Sequence, residues 1–276
     1  MSLPHVPSVA LNNGTEIPQI GFGVFQVPDD GTTTAVAHAL DAGYRSVDTA
    51  TVYGNEAGVG RALAASGIAR DELYVTTKLW NADQGYDATL RAFDDSLARL
   101  GLDHVDLYLI HWPAPARDLY VDTWRAIGTL VADGRVRTAG VSNFNPAHLE
   151  RLLDSGGPVP AVNQIELHPG LQQRELRALH AAHGIATEAW SPLAQGAVLA
   201  DPVVTGIADR HGKSPAQVVL RWHLQLGNIV IPKSVTPARI RENLDVLDFA
   251  LSPEEMEAVA GLDRGLRTGP DPDTLD

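Results

Sequence analysis

The sequence predicts a (β/α)8 barrel, on three observations. Short apolar runs alternate with amphipathic stretches from about residue 16 to residue 262, eight times over. No linker rich in Pro, Gly or Ser interrupts them, so the 276 residues read as a single barrel domain, 1–276. Nearly every run after the first ends in a side chain that can bind or react, as expected where a barrel gathers its chemistry at the C-terminal ends of its strands.

The expected strands are Ile20–Val27, Tyr44–Thr49, Tyr74–Leu79, Val105–Trp112, Val136–Ser142, Ala161–Glu166, Ile185–Trp190 and Ile229–Pro232. They are continuous apolar runs rather than polar/apolar alternations, the pattern of parallel strands covered on both faces. Between them, Leu90, Phe93 and Leu97 fall on one face of a helix. Pro215 and Pro237 mark first turns of helices, where a missing N–H costs least. Before the first strand, Asn13-Gly14 signals a β-hairpin, expected to cap the bottom of the barrel. An extra C-terminal helix is expected after the last repeat, followed by a Gly/Pro/Asp-rich loop from Asp263 to Asp276.

Composition narrows the function. The formal net charge of −13 argues against nucleic acid or an anionic membrane as the main partner. Cysteine is absent, which removes disulfides and thiolate chemistry. Met1–Pro7 lacks the basic and apolar regions of a signal peptide, and no apolar run approaches the roughly 20 residues that span a bilayer. A cytoplasmic protein is therefore expected.

The strand ends read Asp48, Lys78, His111, Ser142-Asn143, Gln164, Trp190 and Lys233-Ser234, with Tyr53 five residues beyond Asp48. A carboxylate, a phenol, an amine and an imidazole converging on one mouth make an acid–base site. Each taken alone has a plainer reading: a buried ion pair, a hydrogen-bonded histidine or a packed aromatic. Their combination at the ends of successive strands favours catalysis.

Three stretches carry a family resemblance: Gly43 to Glu56, Leu100 to Pro113 and Ile231 to Leu244. They resemble the aldo-keto reductase superfamily, most closely its bacterial 2,5-diketo-D-gluconate reductase-like branch, over essentially the whole chain. The resemblance implies NADPH-dependent reduction of aldehydes and ketones to alcohols. Tyr53 would be the proton donor, Asp48 and Lys78 its tuning pair, and His111 the residue that orients the carbonyl. The chemistry agrees, because a lysine ammonium a few ångströms away lowers a tyrosine pKa from about 10.

For NADPH/NADP+, the resemblance assigns Ser142, Asn143 and Gln164 to the carboxamide of the nicotinamide and Trp190 to stacking on its ring. Ser191 and the turn holding Leu193 and Gln195 would approach the pyrophosphate. Lys233, Ser234, Val235, Thr236 and Arg239 would surround the 2′-phosphate, with Glu242 and Asn243 facing adenine. Lys233 and Arg239 also stand out physically, as cations beside an expected helix N-terminus on an acidic chain.

Phe22, Phe25, Trp80, His111 and Trp112 are expected to line an apolar mouth for small dicarbonyls, α-keto acids or keto-sugar acids. The short loop after His111 and a tail without aromatics suggest that this mouth is open and shallow. A monomer is expected from the resemblance.

Other signals are weaker. Gly58-Val59-Gly60 lacks the third glycine of a dinucleotide fingerprint, and the run from Gly206 to Ser214 has the wrong spacing for a P-loop. His180 and His183 could seat a metal but have no third ligand in sequence, so no metal is expected. Two competing functions remain at this level. One is a Schiff-base aldolase using Lys78 or Lys233; the other is a barrel that binds NADPH without turnover.

Overall fold

In the computed structural model, which describes residues 6–276, eight parallel strands follow one another in chain order. They are β3 (Phe22–Gly23), β4 (Ser46–Asp48), β5 (Tyr74–Leu79), β6 (Val105–Ile110), β7 (Val136–Ser142), β8 (Val162–Glu166), β9 (Ala186–Trp190) and β10 (Ile229–Val230). A parallel bridge from Ile20 to Val230 joins the last strand to the first and closes the cylinder. Residues Met1–His5, part of the segment read for a signal peptide, lie outside the described residues. Among the described residues, no helix is long and apolar enough to cross a membrane.

The first and last strands are shorter than their apolar runs. Gly21 and Gly23 lie so close to Ser46 and Ile231 that a Cβ on either would overlap, at 2.9 Å from Ser46 Oγ and 2.8 Å from the Ile231 carbonyl. Pro232 has no N–H to give the ladder, so pairing ends there, and Val24–Val27 leave as a turn.

The hairpin forms where Asn13-Gly14 predicts it, between β1 (Ser8–Ala10) and β2 (Glu16–Pro18). Leu11 and Ile17 pack onto Tyr74, Leu107, Leu109 and Val162, inward residues of the strands, and so plug the bottom of the barrel. Strand alternation explains the division of labour. Leu107, Leu109 and His111 point inward, whereas Tyr108 points out and meets Phe93 of α3 (Tyr86–Leu100) edge-on, with centroids 4.8 Å apart.

The remaining helices are α1 (Asp29–Ala42), α2 (Glu56–Ala65), α4 (Tyr120–Ala132), α5 (Pro146–Asp154), α6 (Arg174–His183), α7 (Pro202–His211), α8 (Pro215–Gln225), α9 (Pro237–Leu244) and α10 (Pro253–Ala260). Pro215 and Pro237 occupy first turns, and Ser214 and Gln217 cap α8 reciprocally. Two helices fall outside the eightfold repeat. The extra C-terminal helix is α10; it packs on α7, an insertion before α8 that the sequence reading did not separate. Glu255 of α10 fastens the two, accepting from Arg210 at 3.1 Å and His211 at 2.9 Å.

The motif look-alikes have structural explanations. Gly58 and Gly60 let α2 press against Asp29 of α1 and Leu100 of α3, where any Cβ would strike a backbone carbonyl. His180 is buried between Asn163 and Thr187, bonded at 2.9 and 2.8 Å, and burial drives its pKa down to about 4.

Candidate active site

At the C-terminal end of the barrel, Lys78 Nζ is the hub of the first half of the site. It donates to Asp48 Oδ1 at 2.5 Å and to the Thr49 carbonyl at 2.9 Å, and lies 3.5 Å from the Tyr53 hydroxyl. Asp48 ends β4, and Tyr53 closes the single 3-10 turn, Thr51–Tyr53, that follows it. Gly54, left-handed at φ 66, ends that turn and starts the chain toward α2.

Burial would strip Lys78 of its proton, but Asp48 and Tyr53 outweigh it and hold the ammonium above its usual pKa. For Tyr53 the balance differs from the sequence expectation. Burial pushes the phenol pKa up, Lys78 pulls it down, and Asp48 and Glu188 push it up again; the net shift is upward. Lysine stabilisation of the phenolate is present, yet desolvation of the same ring is larger.

His111 sits just past β6 with its ring 5.6 Å from Tyr53 and 5.4 Å from Trp80, edge-on to both. Burial, reinforced by Lys78, holds its pKa well below the usual value, so the imidazole is neutral. Its Nδ1 is buried without a partner among the described residues. A neutral imidazole carries one N–H, which suits donation to a carbonyl oxygen.

The second half of the ring is a polar network. Ser142 Oγ donates to the Gln164 carbonyl at 2.8 Å. Asn143, left-handed at φ 64, donates through Nδ2 to the His111 carbonyl at 2.9 Å and accepts from Trp190 Nε1 at 2.8 Å. Gln164 commits its amide nitrogen to two carboxylates, Asp48 Oδ2 and Glu188 Oε2, both at 2.8 Å. Only its Oε1 is left to face a ligand.

After Trp190 the chain enters an irregular turn. Ser191, Ala194 and Gln195 all adopt left-handed backbone, at φ 46, 50 and 53, with Leu193 between them. Such conformations cost roughly 1–3 kcal/mol each in non-glycine residues and gather at ligand sites.

Further round the rim, Lys233, Val235, Thr236 and Arg239 are exposed, and Ser234 is tucked in to accept from the Thr236 N–H at 3.1 Å. Neither Lys233 nor Arg239 makes an ion pair among the described residues. The first turn of α9 carries no side-chain cap, which leaves its N–H groups facing outward with the two cations. Glu242 is half-buried and Asn243 buried on the same helix. This donor set suits a phosphate, and the polar strand ends suit a flat amide-bearing ring, so the residues fit an extended dinucleotide.

One expectation about the lining of the mouth changes. Phe22 is buried in the main core, edge-on to Tyr44 with centroids 5.6 Å apart, because its position in β3 points it outward toward the helices. Phe25, beyond the strand end, is the first-strand residue at the mouth: it is 54% exposed and 5.0 Å from the Tyr53 ring. Trp80 and Trp112 do reach the rim, Trp112 meeting Trp190 at 6.5 Å.

The tail is also more than a loose loop. Glu166, at the end of β8, accepts from the Thr268 N–H at 2.5 Å, the Thr268 hydroxyl at 2.6 Å and the Gly269 N–H at 3.1 Å. Gly269 then lies against the Trp190 ring so closely that a side chain would overlap it. Farther on, Asp273 accepts from Asn145 at 2.7 Å and Asp276 accepts from the Ala116 N–H at 3.2 Å. The tail thus crosses the rim from β8 to the loop after β6 and narrows a mouth expected to be open. Glu166 and Glu188 were missed by sequence reasoning; the signals were an acidic residue ending one buried apolar strand and another in the middle of the next.

Comparison with known proteins places this geometry. The model of the aldo/keto reductase family matches residues 19–264. An aldo-keto reductase of Mycobacterium sp. (strain KMS) is 62% identical over 269 residues, 98% of each chain. Methylglyoxal reductase DkgA of Yersinia pestis is 55% identical over 271 residues, 98% of this chain and 97% of that protein. Among solved structures, a single-residue variant of Gox0644 in complex with NADPH superposes with a TM-score of 0.95 at 51% identity, covering 99% of this chain and all of the other. With the family model spanning nearly the whole barrel, the chain belongs to the aldo/keto reductase family.

Proposed function

We propose that this protein reduces small aldehydes and ketones to alcohols with NADPH, and that Tyr53 delivers the proton. The observation that carries this reading is the Lys78 hub, which joins a buried carboxylate to a phenol at the mouth of the barrel. NADPH, when bound, supplies the hydride.

The protein's part is binding and proton transfer. His111, neutral, donates to the carbonyl oxygen and orients it toward Tyr53. As the alcohol oxygen gathers charge, the Tyr53 hydroxyl gives up its proton, and the Lys78 ammonium beside it receives the phenolate. Asp48 keeps that ammonium charged. The same pairing argues against a Schiff-base role for Lys78, since an amine must lose its proton to attack a carbonyl.

For the cofactor, Ser142, Asn143 and the free Oε1 of Gln164 would hold the carboxamide, and Trp190 would leave Asn143 to stack on the ring. The turn from Ser191 through Leu193 to Gln195 would follow the pyrophosphate. Lys233, Ser234, Val235, Thr236 and Arg239 would receive the 2′-phosphate at the uncapped start of α9, with Glu242 and Asn243 beside adenine. NADPH in the complex of Gox0644 supports this cofactor. Phe25, Trp80, Trp112 and the tail would frame a small substrate pocket with aromatic walls, and the methylglyoxal reductase relatives support dicarbonyls as substrates.

The test follows NADPH absorbance with a panel including methylglyoxal and phenylglyoxal, in wild type and Tyr53→Phe. The variant is expected to bind NADPH normally and to lose about 10²–10⁴-fold in turnover. Near-normal turnover would remove Tyr53 as proton donor, and no oxidation of NADPH with any carbonyl would remove the reaction.

A further inference from the structure

Glu188 is a buried acid that the proposed mechanism does not use. It lies on β9 two residues before Trp190, faces the barrel interior and is 1% exposed. Among the described residues one hydrogen bond engages it, from Gln164 Nε2 to its Oε2 at 2.8 Å. That nitrogen also donates to Asp48 Oδ2 at 2.8 Å, and Asp48 Oδ1 accepts from Lys78 Nζ at 2.5 Å. A continuous chain of contacts therefore runs from Glu188 through Gln164, Asp48 and Lys78 to the Tyr53 hydroxyl.

An acid held by one neutral donor inside a barrel is not explained by stability, since burying a carboxylate is costly and an apolar side chain would avoid that cost. Several groups face it. Asp48 comes from β4, Lys78 and Tyr74 from β5, Tyr53 from the turn after β4, and the uncharged Gln164 from β8. On its other side β10 sets Ile229 in register with it, a residue that does not titrate. Burial and then Asp48 raise the Glu188 pKa to about 7, against opposing contributions from Gln164 and Lys78.

We propose that Glu188 is a positioning residue for carbonyl reduction, acting through Gln164 and Asp48 on the proton carried by Tyr53. The inference rests on the reading of Tyr53 as proton donor. Negative charge on Glu188 opposes formation of the phenolate. Above neutrality, where Glu188 is ionised, the phenol keeps its proton to higher pH than Lys78 alone would allow. Reduction needs the protonated phenol and alcohol oxidation needs the phenolate. Glu188 thus extends reduction into alkaline conditions and holds back oxidation there, leaving the overall equilibrium between carbonyl and alcohol unchanged.

The experiment records kcat/KM from about pH 6 to about pH 11 for methylglyoxal reduction and for oxidation of a simple alcohol, in wild type and Glu188→Gln, with NADPH affinity measured by fluorescence. In the variant, the alkaline limb of reduction and the acidic limb of oxidation are both expected to move down by about one pH unit, a roughly tenfold change at a fixed pH on either limb. NADPH affinity should stay within about twofold of wild type, since the charge acts on the proton. Superimposable limbs would overturn the inference. If Glu188→Gln does not fold, Glu188→Met, of similar volume and also uncharged, gives the same comparison. Tyr53→Phe separates the two readings. An active Tyr53→Phe removes both, whereas an inactive one beside unmoved Glu188→Gln limbs removes only the role of Glu188.

Discussion

Replacing Asp48 by Asn tests the electrostatic centre of the site. The substitution keeps the shape of the side chain and removes the charge that faces Lys78 Nζ at 2.5 Å. Lys78 is fully buried, and its remaining hydrogen-bond partners are the Thr49 carbonyl and the Tyr53 hydroxyl. An unpaired buried charge typically costs about 3–5 kcal/mol. Lysine can avoid that cost by folding without its proton. Shedding it costs about 5 kcal/mol at pH 7 and about 2 kcal/mol at pH 9, given 1.36 kcal/mol per pH unit and an ordinary pKa near 10.4.

The loss of stability relative to wild type should therefore be about 3–5 kcal/mol at pH 7 and narrow to about 2 kcal/mol at pH 9. In wild type the folded pKa of Lys78 is raised, so its contribution is fully present below the unfolded value and is lost only as pH rises through the folded one. The wild-type baseline from this group is therefore flat across the window. Urea denaturation of both proteins at the two pH values measures the difference. A loss below about 1 kcal/mol at pH 7, or one that does not narrow by pH 9, would refute the claim that Asp48 holds Lys78 charged. Turnover should also fall, by about 10²–10⁴-fold, as the cation beside Tyr53 disappears.

Two further outcomes follow from the periphery of the site. Arg239→Ala should raise the KM for NADPH about tenfold while changing that for NADH less than about twofold, because one charge-assisted phosphate contact is worth about 1.5 kcal/mol at an exposed position; steady-state kinetics with the two cofactors decide it, and equal effects would detach Arg239 from the 2′-phosphate. Glu166→Gln keeps one oxygen to accept from Thr268 but sets an amide N–H against the Gly269 N–H and removes the charge from the clasp, so it should loosen the tail and speed its cleavage by protease about tenfold. Burial would raise the Glu166 pKa, but the bonds from His168 and Thr268 outweigh it and lower it. The clasp is then present above the usual carboxylate range and lost as pH falls through the folded value, so wild type should show the same accelerated cleavage in acid. Cleavage rates that do not change with the substitution would show that the clasp does not hold the tail.

The sequence by itself determined the barrel and the identity of its reactive strand ends. Continuous apolar runs at regular spacing leave few alternatives to parallel strands covered by helices. A polar residue where such a run stops must lie at the mouth, which is why Asp48, Lys78 and His111 were legible one by one. The Asn13-Gly14 turn and the proline starts of α8 and α9 were legible for the same local reason, since their backbone chemistry acts within a few residues.

What lies between distant residues was decided only by the tertiary structure. Whether Phe22 or Phe25 lies at the mouth depends on where β3 ends, and pairing with Pro232 sets that end. The course of the tail depends on Glu166, about a hundred residues earlier in the chain, and no local pattern encodes that meeting. The direction of the Tyr53 shift is the difference between burial and the fields of Lys78, Asp48 and Glu188, drawn from three strands. Propensity and periodicity are short-range and survive in a string of residues; desolvation and through-space charge depend on distances that exist only after the barrel has closed.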